Sequence, residues 1–155
     1  MRDGTEYEYQ PGRGPSNTMT SVGLLCRQYL GAKRDSPMLT GGMDYLMKNL
    51  PDDAVSPNIY YWYYATQVMH NMSGPEWDTW NRKMRNLLVH TQVRNVDECA
   101  DGSWAPEKDA WGKSGGRLMT TSLSALTLEV YYRYLPLFKT DEGGGEKSGN
   151  AFGVR

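Results

Sequence analysis

The 155 residues are enough for one domain with a buried core. With 17 basic against 18 acidic residues the net charge is −1, which removes any general electrostatic pull toward nucleic acid or an anionic membrane surface. No apolar run reaches the roughly 18–20 residues of a membrane span. Two distant cysteines, Cys26 and Cys99, fit unpaired thiols of a reducing compartment rather than a disulfide framework.

Residues 1–15 carry no apolar stretch of the kind a signal peptide needs and read as an irregular lead-in, with a cytoplasmic location as the default. A first helix is predicted over 18–31, capped by Ser16, Asn17 or Thr18 and closed by Gly31. Met19, Val22, Leu25, Cys26, Tyr29 and Leu30 form its apolar stripe. The second helix follows Ser36 and Pro37 and stops at Pro51. Leu39, Met43, Leu46, Met47 and Leu50 lie on one face. Gly41 and Gly42 weaken this helix by roughly 1 kcal/mol each, so a neighbour is expected to press close there.

The third helix runs from Pro57 to Gly74 and is apolar all round, with Ile59, Tyr60, Tyr61, Trp62, Tyr63 and Tyr64 in succession. Such a helix should be surrounded by others. The fourth starts at Ser73 and Glu76, spaced as a capping box. Its stripe is Trp77, Trp80, Met84, Leu87 and Leu88, and Arg82, Lys83, Arg85 and Asn86 form a solvated face. A long loop occupies 92–116. The fifth helix, 117–135, intersperses Thr120, Thr121, Ser122, Ser124, Ala125 and Thr127 with Leu and Tyr, as a closely packed helix does. Pro136 ends it, and the Gly-rich 139–155 reads as a disordered tail. The fold class is therefore all-α: about five helices over 16–138, with helices one, three and five inside and two and four outside. Helices one and five also share Met-Thr-(Thr)-Ser near their starts and Arg-x-Tyr-Leu near their ends, as repeat units do.

Glu98, Gly102 and Trp104, in "ECADGSW", stand at the spacing of a Gln-x-x-x-Gly-x-Trp repeat with Glu in place of Gln. This stretch, with the "GGRLMTTSLSALTLEVYYRYLP" that follows it, resembles the prenyltransferase and squalene-oxidase repeat family, including squalene-hopene cyclases. The likeness is strongest over 98–136 and extends loosely, over 16–136, to bacterial repeat proteins of that group. The resemblance implies an α/α toroid, here a C-terminal segment forming an open arc of helical hairpins. It also implies a clamp: Glu98 accepts hydrogen bonds at a helix N-terminus, Gly102 turns the backbone and Trp104 seals the joint, with Trp111 covering the entry to helix five.

The family's chemistry does not follow the likeness. An Asp-x-Asp-Asp acid motif is missing, and Asp52-Asp53 sits in a turn that accounts for it. Asp97 and Cys99 form an Asp-x-Cys pair, but His70 and His90 both lie upstream, so the zinc triad of prenyltransferases is incomplete. Asp97, Asp101, Glu107 and Asp109 lack the alternate spacing of a calcium loop and read as solvated acids. No metal and no cofactor is expected. "NMS" at Asn71 is a glycosylation sequon, relevant only in a eukaryotic secretory setting. A toroid closes on a central cavity, and Tyr60, Tyr61, Tyr64, His70, Arg117 and Thr121 are the candidates for its lining.

The sequence thus leads to a non-catalytic toroid segment that binds an apolar small molecule or a protein. Five helices leave open ends, so self-association or a missing upstream half is expected. The alternative is a part of a terpene-cyclase or isoprenoid-transfer enzyme whose catalytic acids lie outside the chain. A carbohydrate-binding or lyase toroid is the third reading, on its Trp and Tyr platforms, although no acid pair is placed for cleavage.

Overall fold

The computed structural model describes residues 4–52, 57–133 and 135–138. They form α1 (Asn17–Tyr29), α2 (Pro37–Lys48), α3 (Ile59–Met72), α4 (Pro75–Thr91), α5 (Gly112–Leu128) and the one-turn α6 (Val130–Arg133) directly after it. Among the described residues there is no strand, and one antiparallel bridge joins Gln92 to Trp104. Asp53 and the 139–155 tail lie outside the described residues.

The helix ends follow local chemistry. Ser16 accepts the Met19 N–H at 3.2 Å to start α1. Gly31, at φ 84, closes it, with the Gly31 and Ala32 amides donating to Gln28 and Arg27 carbonyls. Asn58 caps α3 by accepting the Tyr61 N–H at 2.9 Å. Gly116, at φ 65, breaks the first turn of α5, so the regular helix begins at Arg117, where the spacing predicts it.

The expected Ser73–Glu76 capping box does not form. The α3–α4 joint has only Ser73 and Gly74, both at positive φ (55 and 89). Ser73 therefore closes α3, its hydroxyl donating to the His70 carbonyl, while Gly74 takes the N-cap position of α4 before Pro75.

Helix α3 packs against all five other helices, as its all-round apolar surface predicts. α1 and α5 flank it, α2 lies against α1 and α3, and α4 lies against α3 and α5. Of the helices expected inside, α3 is the central one, whereas α1 and α5 flank it and keep exposed residues such as Tyr29 and Leu118. Trp80 is almost fully buried, as are Leu24, Leu39, Leu46, Val68, Met69, Met84 and Leu88, and each of these Leu, Val and Met side chains contributes roughly 1.5–3 kcal/mol. Gly42 is where the close approach occurs: a Cβ there would run into the methyl groups of Leu24 on α1.

Several polar groups inside this core are paired across helices. Gln28 on α1 donates to the Val68 carbonyl on α3 at 3.2 Å and accepts from the Asn71 amide at 2.9 Å. Asn71 is thus buried between helices, and its sequon offers no surface for modification in the folded chain. The Trp80 indole N–H donates to Thr66 at 3.0 Å, and its ring meets Tyr61 edge-on.

The lead-in is irregular, as expected, and it is also anchored. Tyr7 packs over Gly23. Its amide donates to Thr20 at 3.0 Å and its hydroxyl accepts from Arg27 Nε at 3.0 Å. Thr5 sits over Gly41 in the same way. This anchoring sets the position of residues 9–16 beside the start of α1.

Candidate ligand cleft and the loop beside it

Two loop systems frame the candidate site. The first follows α4. Val93 and Ser103 are joined by a 2.8 Å backbone bond, and the Gly102 amide returns to the Val93 carbonyl at 2.9 Å. Gly102 makes that return at φ 74, a region other residues rarely adopt. Trp104 then enters the core: its indole N–H donates to the Leu88 carbonyl at 2.9 Å. Its amide donates to Thr121 at 3.2 Å, and its carbonyl accepts from Thr120 at 2.7 Å. One residue thereby ties the end of α4 to α5.

Glu98 stands exposed in the outer turn of this loop, where backbone bonds to Asn95 and Asp101 hold the main chain. The carboxylate that reaches a helix start is Asp109. One of its oxygens accepts the Ile59 N–H at 2.8 Å in the first turn of α3, and the other accepts the Trp111 N–H at 2.8 Å. Beside it the Ala110 amide donates to the Pro57 carbonyl at 2.8 Å. Asp109 is therefore not the solvated acid the sequence implied. Its local half, an Asp accepting from the residue two ahead, is a readable turn signature. Its bond to Ile59, fifty residues away, is not.

A cleft of about 850 Å³ opens where α1, α3 and α5 begin. Pro15, Ser16, Thr18 and Met19 form one wall, Asn58 and Tyr60 the next, and Trp111, Ser114 and Met119 the third, with Tyr9 and Arg13 of the lead-in at the rim. Tyr9, Tyr60 and Trp111 all present exposed ring surface. A smaller cavity of about 380 Å³ lies behind the loop, between Trp62, Leu87, Leu88 and Trp104.

The six expected lining residues are spread over the molecule. Tyr60 alone among them lines either cavity. Tyr61 is buried, its hydroxyl donating to the Asn49 carbonyl at 2.8 Å, and burial pushes its phenol well above the usual range. Tyr64 lies edge-on to Tyr60 and Tyr63, and burial, followed by the Tyr60 hydroxyl, pushes it up to about 12. His70 is buried against Trp77, and this burial lowers its pKa. It follows Tyr60 by ten residues on one helix, which separates them by about 15 Å along the axis. Arg117 and Thr121 belong to the loop clamp: Arg117 donates to Ser103 at 2.9 Å and faces Glu107 at 3.6 Å, and Thr121 receives the Trp104 amide.

Tyr9 and Arg13 escaped the sequence reading because they lie in a segment without periodicity. Among the described residues, no three His, Cys, Asp or Glu side chains gather as a metal would need, and no helix is long and apolar enough to cross a membrane. Cys26 and Cys99 are free and exposed.

Compared with known proteins, the chain matches no family model, no curated protein and no solved structure.

Proposed function

We propose that the chain is a binding unit, an α/α-toroid segment of the prenyltransferase and squalene-oxidase repeat kind, that holds a small amphipathic molecule in the cleft where α1, α3 and α5 begin. The observation that carries this reading is the convergence of Tyr9, Tyr60 and Trp111 around about 850 Å³ of open space. That volume falls within the roughly 300–1,000 Å³ of small-molecule sites, and aromatic walls with a few polar groups are their usual lining. The Gly102–Trp104 turn and the alternation of flanking and bridging helices support the toroid part of the proposal. Catalysis has no support from the cleft lining, which among the described residues contains no carboxylate and no histidine.

Native mass spectrometry with lipids, isoprenoid diphosphates, aromatic acids and oligosaccharides tests it. One ligand per chain, lost on Trp111→Ala, is the expected result. Turnover of an isoprenoid diphosphate would overturn the non-catalytic reading in favour of the transferase or cyclase alternative. Binding that ignores Trp111→Ala would place the site elsewhere.

A further inference from the structure

We infer that the ligand of this cleft is a flat ring system bearing a single carboxylate, with Arg13 receiving the charge; this rests on the reading of the cleft as a ligand site. The argument begins with the charge of the lining. Arg13 is the one charged side chain among the described residues that form it. Glu8, the acid closest to it in the chain, accepts the Gly12 and Gly14 amides through one oxygen, 3.1 Å from each, and so shapes the turn that carries Arg13. Arg13 takes no part in the ion pairs of Arg117 with Glu107 and of Arg133 with Glu129. A planar guanidinium offers parallel N–H donors that match a carboxylate.

The rings set the rest of the ligand. Tyr9 is 78% exposed and Trp111 is 51% exposed, so the stacking faces are wet on one side. A wholly apolar chain would gain little on such a wall, whereas a flat ring with a polar edge stacks on one face and keeps its edge in water. Met19 and Met119 add to the lining side chains that adapt to an irregular outline. A diphosphate, with two or three charges, would meet a single guanidinium and no lysine among the described residues of this lining. One cation selects one negative charge.

The test uses the full chain and two isosteric probes, 2-naphthoate and 2-naphthamide, titrated by ligand-observed NMR. Naphthoate should bind about fivefold tighter at low salt, the advantage shrinking as salt is raised, as for an exposed ion pair. Arg13→Gln should abolish the advantage and leave naphthamide unchanged. Trp111→Ala should weaken both probes, and Arg82→Gln, on the solvated face of α4, should alter neither. If both probes depend on Trp111 but naphthoate has no advantage, or keeps it in Arg13→Gln, the charge inference is overturned and the cleft stands. If neither probe responds to Trp111→Ala, the cleft reading fails and the inference fails with it.

Discussion

Replacing Asp109 by alanine separates the two carboxylates that could tie the 92–111 loop to the helices. Asp109 accepts two backbone amides at 2.8 Å, one of them in the first turn of α3. Losing a capping acceptor costs about 0.5–2 kcal/mol, and losing a negative charge at a helix start adds about 0.3–1 kcal/mol. Asp109 is half-buried, so a total of about 2 kcal/mol is expected, or about 4–8 °C in Tm for a chain of this size. Asp109→Asn keeps one acceptor oxygen and should cost less than half as much. Glu98→Ala removes an exposed side chain and should stay within about 0.5 kcal/mol. Urea unfolding followed by tryptophan fluorescence measures all three, a shifted midpoint at constant slope marking a change in stability. Hydrogen exchange at the Ile59 amide adds a local readout, with protection falling in Asp109→Ala alone. If Glu98→Ala proves as costly as Asp109→Ala, or Ile59 stays protected without Asp109, the assignment of the tie is wrong.

Trp104→Ala should destabilise by about 3–5 kcal/mol through the cavity it leaves, and Trp104→Phe by about 1–2 kcal/mol through the lost bond to Leu88, both read from denaturant midpoints. Gly42→Ala should destabilise by about 1–3 kcal/mol despite the better helix propensity of alanine, because the new Cβ meets Leu24; a rise in Tm would refute that packing. Burial lowers the His70 pKa from its ordinary 6.5, so the unfolded chain takes up its proton first as pH falls. The stability from keeping this ring neutral is therefore complete above pH 6.5 and declines as pH falls toward the folded value. His70→Gln should flatten that part of a stability–pH profile. Leu118 is 82% exposed on α5, and we propose that a second copy packs there. Sedimentation should show concentration-dependent association that Leu118→Lys weakens, and a strictly monomeric parent chain would count against open ends.

The helices were legible because their cues are local. Pro37, the Ser16 cap and Gly31 each act within a few residues, and the observed bounds follow them. The apolar stripe expected on α1, however, is not its buried face: Thr20, Ser21, Leu24, Leu25 and Gln28 are buried, while Cys26, Tyr29 and Leu30 are exposed. The central place of α3 was legible because a helix without a polar face has nowhere else to go. Two features were not. The α3–α4 joint depends on the positive φ of Ser73, which no spacing announces. Tyr61 and Tyr64 share composition with Tyr60, and only their angular position on a helix packed against five others decides which ring reaches the cleft. The loop motif was half legible: Gly102 and Trp104 act through their own backbone and ring, whereas the carboxylate at the helix start had to be found by geometry.

The cleft follows from the order of the helices. α1, α3 and α5 are each separated from the next by a bridging helix, α2 or α4, that carries the chain back. Their starting residues consequently gather at one end, which is why Ser16, Asn58 and Ser114 line one cavity although they are far apart in sequence. A gathering of helix starts leaves unpaired amides that something must finish. Ser16 and Asn58 finish two of the helices through their own side chains, and Asp109 adds a carboxylate at Ile59. The space between the capped starts remains, bounded by an anchored lead-in and by the loop that Trp104 and Asp109 hold down. Ring-bearing side chains stand on all of these boundaries, in Tyr9, Tyr60 and Trp111. Ser16 and Asn58 both cap a helix and line the opening, whereas Tyr9 and Arg13 stand at the rim and cap no helix. Substitutions at the rim can change what the cleft accepts without disturbing the fold beneath it.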